Sequence, residues 1–125
     1  MRCVIVDDNE AFLEVSRALL ERDGVEVAGV ARNCADAVAC VRALEPDLLL
    51  VDIDLGEESG IELARRLAGE PDAAGAQLIL MSAHHEDEIT DVIEDGVAIG
   101  FLTKSALSRQ AIESLLARTR PAGTV

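Results

Sequence analysis

Aromatic residues are almost absent from this chain of 125 residues, which contains two phenylalanines, Phe12 and Phe101, and no tryptophan or tyrosine. Half of the residues are nonetheless hydrophobic, which predicts a folded domain with an aliphatic core. A chain of this length is expected to form a single domain with a substantial core. We place that domain at residues 1–120 and interpret residues 121–125 as a tail or the start of a linker.

Basic residues are also scarce, since 11 lysines and arginines stand against 24 aspartates and glutamates. The resulting formal net charge of −13 argues against direct binding to nucleic acid or to an anionic membrane. The sequence has no hydrophobic run of membrane-spanning length, and no signal peptide opens it. On these grounds we expect a cytoplasmic protein.

Residues that bind transition metals are few and poorly spaced for that purpose. Cys3, Cys34 and Cys40 fit no zinc spacing and lie in apolar or alanine-rich segments, so we predict that they are small buried residues. His84 and His85 are adjacent, so they lack the i, i+4 spacing with which histidines bind zinc from one helix. The sequence therefore favours no transition-metal site.

Short apolar runs alternate with helical periodicity five times along the chain. The predicted strands cover residues 3–6, 25–31, 48–53, 78–81 and 99–103. The apolar faces of the predicted helices contain, in chain order, Phe12, Val15 and Leu19; Val38, Val41 and Leu44; Ile61, Ala64 and Leu67; Ile89, Val92 and Ile93; and Ile112, Leu115 and Leu116. Helix caps are predicted at Asn33, Ser59 and Ser108.

Strands that are apolar at every position and are separated by helices predict a parallel sheet covered on both faces. The expected fold is therefore α/β, a doubly wound five-stranded parallel sheet with five helices. In such sheets, ligands bind at the carboxyl ends of the strands, where the strand order changes direction.

Polar residues stand where four of the predicted strands end: Asp7, Asp8, Asp52, Asp54, Ser82 and Lys104. In a parallel sheet these side chains share one edge, where neighbouring carboxylates repel each other unless a cation lies between them. Mg²⁺ suits two carboxylates plus water. A carboxylate beside a metal, a hydroxyl and a lysine is an arrangement suited to phosphoryl transfer, with the carboxylate as the nucleophile.

Each of these residues also has an ordinary structural interpretation. Asp7 or Asp8 would serve as the cap of the first helix, and an aspartate after a strand is often a turn residue. A lone lysine is usually a solvated charge. The agreement of four strand ends is what favours a site.

Four segments carry a resemblance to a known family: VIVDDN, PDLLLVDIDLGEESG, LILMSA and GFLTKS. In this order they make residues 2–118 similar to the receiver domain of two-component response regulators, a flavodoxin-like (βα)5 fold. The resemblance implies that Asp52 accepts a phosphoryl group from a sensor histidine kinase. It implies a Mg²⁺ site formed by Asp8, Asp52 and the main-chain carbonyl of Asp54, with Asp7 acting through water.

The same resemblance implies that Ser82 and Lys104 hold the phosphoryl oxygens. Phe101 matches an aromatic residue that changes rotamer with Ser82 on activation, on a face built from the fourth helix, the fifth strand and the fifth helix. Such a domain is not an enzyme, since it catalyses only its own phosphorylation and dephosphorylation. Its output is a downstream protein or a DNA-binding effector domain absent from this chain, and it is a monomer or a phosphorylation-dependent dimer.

Three positions depart from the pattern of the family. Ser105 stands where many relatives have a proline after the lysine, so we expect a trans peptide at Lys104. Gly56 replaces a common proline after the third strand. The segment between Gly96 and Lys104 is one residue longer than expected, which affects the path into the fifth strand.

Two further hypotheses concern the mouth of the site. Asp54 and His84 are predicted to rim the pocket, where Asp54 either acts as a base toward attacking water or pairs with protonated His84 to close the entrance. The rival function is a phosphatase of the haloacid dehalogenase type, because Asp52-Ile53-Asp54 resembles its D-x-D motif. In that family the motif usually follows the first strand, whereas here it follows the third.

Overall fold

The computed structural model describes residues 1–83, 93 and 95–118. Its strands are β1 (Arg2–Val6), β2 (Glu26–Ala31), β3 (Leu48–Asp52), β4 (Asp54–Leu55), β5 (Glu58–Ser59), β6 (Gln77–Ser82) and β7 (Gly100–Thr103). The α-helices in these ranges are α1 (Glu10–Arg22), α2 (Cys34–Leu44), α3 (Gly60–Ala68) and α4 (Arg109–Arg118). Short 3-10 helices cover Pro71–Ala73 and Lys104–Ala106.

Ile89 and Val92 of the predicted fourth helix lie outside the described residues, whereas Ile93 is helical and packs against the sheet. The label α4 therefore corresponds to the predicted fifth helix. The boundary at residue 120 lies outside them as well and stays a prediction. None of the helices in the described ranges combines the length and the apolar character that crossing a lipid bilayer requires.

The five predicted strands form one sheet in the order β2-β1-β3-β6-β7, and all four pairings are parallel. The chain moves from β1 to one edge and then returns past β1 to β3, so the strand order changes direction between β1 and β3. The predicted architecture is therefore confirmed. The prediction missed the small antiparallel hairpin of β4 and β5, which follows β3 directly.

Alternate residues of each strand enter two separate cores. Val4 and Val6 lie in the core that contains α2 and α3, whereas Cys3 and Ile5 lie in the core that contains α1 and α4. The same division holds along β3 and β6, since both faces of the sheet are covered by helices. This double burial explains why the strands are apolar at every position.

The helix caps predicted from the sequence are confirmed. Asn33 accepts a hydrogen bond from Asp36 N at 2.8 Å, Ser59 accepts one from Glu62 N at 3.3 Å, and Ser108 accepts one from Ala111 N at 3.0 Å. Each cap satisfies a backbone N–H group that has no partner within its helix.

The buried face of α1 differs from the predicted one. Leu13, Ser16 and Leu20 are buried, Phe12 lies at the margin, and the side of the helix that holds Val15 faces solvent, with Val15 66% exposed. The predicted spacing of three and seven residues fits two overlapping stripes on the helix. Packing against the sheet selects the stripe that contains Leu13 and Leu20.

The cysteine prediction is confirmed for one residue and is wrong for two. Cys3 is fully buried in β1, and burial raises the pKa of its thiol to about 12. Cys34 and Cys40 are only partly buried, and all three thiols are free. Cys34 and Cys40 belong to α2, and the alanine-rich sequence around them forms a helix that is only half-buried.

We expect Leu20→Ala to destabilise the protein by about 2–5 kcal/mol, because Leu20 is completely buried and its truncation leaves a cavity. The matched change Val15→Ala on the same helix should alter the free energy of unfolding by no more than about 0.5 kcal/mol. Urea unfolding followed by circular dichroism measures both. A loss of 2 kcal/mol or so for Val15→Ala would contradict the observed orientation of α1.

Candidate functional site

The register of the central strands brings two aspartates together. Val6 of β1 pairs with Val51 of β3, so Asp7 and Asp52 come next on adjacent strands. Main-chain hydrogen bonds extend the sheet to this level, from Asp7 N to Ala31 O at 3.0 Å and from Ile53 N to Met81 O at 2.9 Å. Both carboxylates therefore stand on ordered backbone, at the change in strand order.

The next two strands add a hydroxyl and an ammonium to the same edge. Ser82 pairs with Thr103, and Lys104 follows Thr103 at once. Ser82 is 5% exposed. These side chains border a cleft of about 220 Å³ whose lining consists of Asp8, Asn9, Asp52, Ile53, Asp54, Ser82, Ala83 and Lys104.

Three carboxylates form the centre of the site. Asp7, Asp8 and Asp52 each offer an oxygen, and these oxygens lie within 4.8 Å of one another. Asp7 is 0% and Asp52 4% exposed, whereas Asp8 is exposed. Negative charges this close together raise each other's energy, most of all where water is excluded.

Lys104 provides the compensating charge. Its Nζ lies 2.6 Å from Asp7 Oδ2 and 3.0 Å from Asp52 Oδ2, and its side chain is 19% exposed. Burial lowers the pKa of the Lys104 ammonium, but the contacts with Asp7 and Asp52 outweigh burial and leave that pKa raised. Lys104 is therefore held in its charged form between the two buried aspartates.

The compensation is incomplete. Burial raises the pKa of the Asp52 carboxyl, and the hydrogen bond from Asp54 N and the contact with Lys104 offset this only in part. Asp7 Oδ2, despite its short ion pair, is the buried side-chain oxygen within the described ranges that no donor satisfies with hydrogen-bond geometry. The site could therefore accept a further positive charge.

Helix α1 is capped by a residue that the sequence analysis did not consider. Asn9 Oδ1 accepts a hydrogen bond from Phe12 N at 3.1 Å, so the alternative that Asp7 or Asp8 caps this helix is wrong. Asp7 Oδ1 instead accepts a hydrogen bond from Asn9 N at 2.8 Å. Because Asn9 caps the helix, the carboxylates of Asp7 and Asp8 remain directed to the site.

Asp54 lines the cleft and supports Asp52 through its backbone. Asp54 N donates to Asp52 Oδ1 at 3.0 Å, while Asp54 Oδ1 accepts from Gly56 N at 3.1 Å. A proline at position 56 would have no N–H to donate, so the departure at Gly56 gives Asp54 a partner. His84 lies outside the described residues, and its pairing with Asp54 stays a prediction.

Gly60 is a positioning residue that the sequence analysis missed. A Cβ on Gly60 would stand 1.8 Å from Asp52 O and 2.7 Å from Ile53 Cα, because the first turn of α3 packs directly on the end of β3. Gly60 N also donates to Ile53 O at 2.9 Å. The sequence did contain a signal for this contact, namely a glycine directly after the Ser59 cap. A glycine at the start of a helix lets another segment of backbone approach closely because it has no Cβ.

Phe101 lies on β7 opposite Leu80 of β6 and is half-buried against the core that contains α2 and α3. It stands three residues before Lys104, on the strand that brings Lys104 to the site. The peptide bond after Lys104 is trans, as expected, since the described residues include no cis peptide. The extra residue before β7 leaves the register of Ile79 with Gly100 intact.

The comparison with known families decides the identity of the fold. Residues 3–117 match the model of the response regulator receiver domain. The chain belongs to this family. The strand-end residues are thus those of a receiver domain of two-component response regulators. The match leaves the phosphatase alternative without support.

Individual relatives agree with the family match. The chain is 30% identical over 125 residues to the phosphate regulon transcriptional regulatory protein PhoB of Rhizobium meliloti, covering 96% of this chain and 54% of that protein. It is 40% identical over 80 residues to a protein-glutamate methylesterase/protein-glutamine glutaminase of Desulfotalea psychrophila, covering 63% of this chain and 22% of that protein. The chain therefore spans about half or less of the length of these curated relatives.

A solved structure supports the same assignment. The receiver fold superimposes with a TM-score of 0.77 on a response regulator protein from Burkholderia pseudomallei, with 28% identity over 95% of this chain and 66% of that chain. That crystal structure contains a phosphorylated aspartic acid, a calcium ion and citrate.

The residues at this receiver's site are suited to a hard divalent cation. The donors are carboxylate oxygens, which Mg²⁺ and Ca²⁺ prefer, and two of them belong to buried side chains. Three carboxylates face the single ammonium of Lys104, so the site holds more negative than positive charge. A divalent cation would balance this excess.

We expect Gly60→Ala to destabilise the protein by about 1–3 kcal/mol, because its Cβ collides with the backbone of Asp52. Gly69→Ala, at the other end of α3, is the matched control, since its Cβ would meet nothing closer than Arg66 O at 3.7 Å. This control should be neutral or stabilising by about 0.4–1 kcal/mol. Urea unfolding gives both energies, and equal values for the two variants would contradict the close contact at Gly60.

Proposed function

We propose that Asp52 is the phosphoacceptor of this receiver domain. The observation that supports this most strongly is the position of Asp52, which lines the cleft although it is almost completely buried. Asp52 also forms an ion pair with Lys104 at 3.0 Å and has two carboxylates beside it. Asp7 is buried and does not line the cleft, and Asp8 is exposed and has no described contact with Lys104. Asp52 is therefore the carboxylate best placed to meet a phosphoryl donor.

The donor in the cell is the phosphohistidine of a sensor histidine kinase. A carboxylate oxygen of Asp52 attacks phosphorus, the P–O bond of an acyl phosphate forms, and the P–N bond to the imidazole breaks. The imidazole nitrogen keeps the electron pair and takes up a proton. With acetyl phosphate as donor, the same attack releases acetate.

The proposed cofactor is Mg²⁺, which would neutralise part of the negative charge of the transferring group. Asp8, Asp52 and the main-chain carbonyl of Asp54 would hold it, and Asp7 would act through water. The support for this assignment is the cluster of carboxylate oxygens within 4.8 Å. The calcium ion in the Burkholderia relative is consistent with a divalent cation in such a site.

Lys104 and Ser82 are proposed to hold the phosphoryl oxygens. Lys104 already contacts Asp52, so its ammonium needs only a small movement to reach an oxygen of the new group. Ser82 lines the same cleft on the neighbouring strand, where its hydroxyl can donate to another oxygen. Both contacts counter the charge that gathers on these oxygens during transfer.

Signal output is proposed to use Ser82 and Phe101 as a switch. Recruitment of Ser82 by the phosphoryl group would change the packing beside Phe101 on β7, and the face built from the predicted fourth helix, β7 and α4 would transmit the change. The proposed partner is a downstream protein or a DNA-binding effector domain, and the PhoB relative is named as a transcriptional regulatory protein. The domain acts as a monomer or as a phosphorylation-dependent dimer.

We further propose that the unit formed by residues 1–120 is not an enzyme for an external substrate. The methylesterase relative carries its activity in a chain of which the present one covers 22%. The receiver would turn over only its own phosphoryl group, with Asp54 and His84 at the rim of the pocket.

We expect acetyl phosphate with Mg²⁺ to give a phosphoryl adduct on the wild type and none on Asp52→Asn, because the amide is not a nucleophile. Asp54→Asn is the matched control, since it removes a neighbouring carboxylate of the cleft but leaves the acceptor. Intact-mass spectrometry and peptide mapping measure the adduct. An adduct of equal yield on Asp52→Asn would overturn the assignment.

We expect Mg²⁺ to raise the melting temperature, because it binds the folded site and relieves its excess negative charge. At ten times its Kd the stabilisation is about 1.4 kcal/mol, or several degrees. Asp8→Asn should be at least as stable as wild type without metal and should lose the response. The control Glu14→Gln removes an exposed charge of α1 away from the cleft and should keep it. A wild-type melting curve unmoved by millimolar Mg²⁺ would count against the site.

A further inference from the structure

One of the two aromatic rings of the chain faces the ammonium of the site. Lys104 Nζ lies 4.6 Å from the centroid of the Phe12 ring. A cation within about 6 Å of a ring face is attracted by the negative charge of that face. We propose that Phe12 is a positioning residue that holds Lys104 toward the phosphoacceptor by this cation–π contact.

The contact completes a cycle of interactions that begins and ends at Asp7. Asp7 Oδ1 accepts from Asn9 N at 2.8 Å, and Asn9 Oδ1 accepts from Phe12 N at 3.1 Å. The Phe12 ring faces Lys104, whose Nζ lies 2.6 Å from Asp7 Oδ2. The start of α1, which carries Phe12, is thereby tied through its backbone to the same aspartate that binds the lysine.

The neighbours of Lys104 contact its ammonium from two directions. Two carboxylates attract the ammonium from the sheet, whereas Phe12 belongs to α1, at the half-buried margin of the core. The Lys104 side chain is 19% exposed, so its ammonium is partly shielded from water where it meets the ring. Such partly desolvated positions are those at which a cation–π contact is strongest.

The attraction of the ring requires the ammonium to lie over the ring face within about 6 Å, but it does not require one donor–acceptor line as a hydrogen bond does. On the basis of the proposed function, Lys104 shifts its ammonium from Asp52 toward an oxygen of the phosphoryl group. A hydrogen bond to Asp52 is broken or bent by this shift, but an ammonium that moves by a short distance stays over the same ring face. Phe12 therefore keeps Lys104 in the site during transfer and limits the alternative rotamers that point to solvent.

The first test compares two replacements of Phe12. Leucine keeps an apolar side chain without a ring face, and tyrosine keeps the face. At saturating Mg²⁺, we expect the rate constant for phosphorylation by acetyl phosphate to fall about three- to tenfold in Phe12→Leu. Phe12→Tyr should remain within about twofold of wild type. Val15→Ala, an exposed apolar position on the same helix, should leave the rate unchanged.

The second test separates ring electrostatics from packing. Because Phe12 and Phe101 are the only phenylalanines, fluorinated phenylalanines supplied to a Phe101→Leu variant enter at position 12 alone. Fluorine withdraws electron density from the ring face with little change in size. We expect the phosphorylation rate, measured against the unfluorinated Phe101→Leu parent, to fall stepwise with the number of fluorines.

Equal phosphorylation rates for wild type and Phe12→Leu would overturn the proposal. A slower rate in Phe12→Leu with no trend among the fluorinated proteins would also overturn it, because that result assigns Phe12 to packing alone. A wild type that gains no phosphoryl group at Asp52 refutes the proposed function instead. In that case the upfield ring-current shift of the Lys104 ε-methylene protons, and its loss in Phe12→Leu, still show by NMR whether the ring faces the ammonium.

Discussion

The repulsion among the carboxylates of Asp7, Asp8 and Asp52 is the interaction on which the rest of this site depends. Two of these groups are buried, and a single ammonium, that of Lys104, lies between them. One positive charge against three negative ones leaves the site with excess negative charge, and burial raises the pKa of the Asp52 carboxyl. The same excess that costs folding energy therefore prepares the site for a divalent cation and keeps the lysine charged and in place.

The sheet is what holds these charges together against their repulsion. The register of β1 with β3 sets Asp7 beside Asp52, and main-chain hydrogen bonds run one level past the last apolar pair. Two aliphatic cores of alternate strand residues fix that register, because a slip by one residue would move every side chain to the other face. At the end of β3, Gly60 completes the support by letting α3 pack on the backbone of Asp52.

The fold, and the meeting of Asp52, Ser82 and Lys104 at one edge of the sheet, could be predicted because both depend on patterns along single segments. Apolar runs that end in Asp52, Ser82 or Lys104 are visible in the sequence, and parallel order brings such ends to one edge. The details that escaped depend on contacts between segments. Val15 and Leu20 fit alternative stripes of α1 until the sheet selects one, and the closeness of Gly60 to Asp52 appears only after α3 is packed.

The shortage of aromatic residues gives meaning to where the two phenylalanines lie. The fully buried core is built from aliphatic side chains, and both rings are half-buried on the elements that bear the site. Phe12 faces Lys104 from the first turn of α1, and Phe101 lies three residues before that lysine on β7. The aliphatic core supplies register and stability without directional contacts. In the proposed mechanism, both rings lie where a contact has to persist while charges shift or packing changes, and an aromatic face serves this purpose better than a methyl group does.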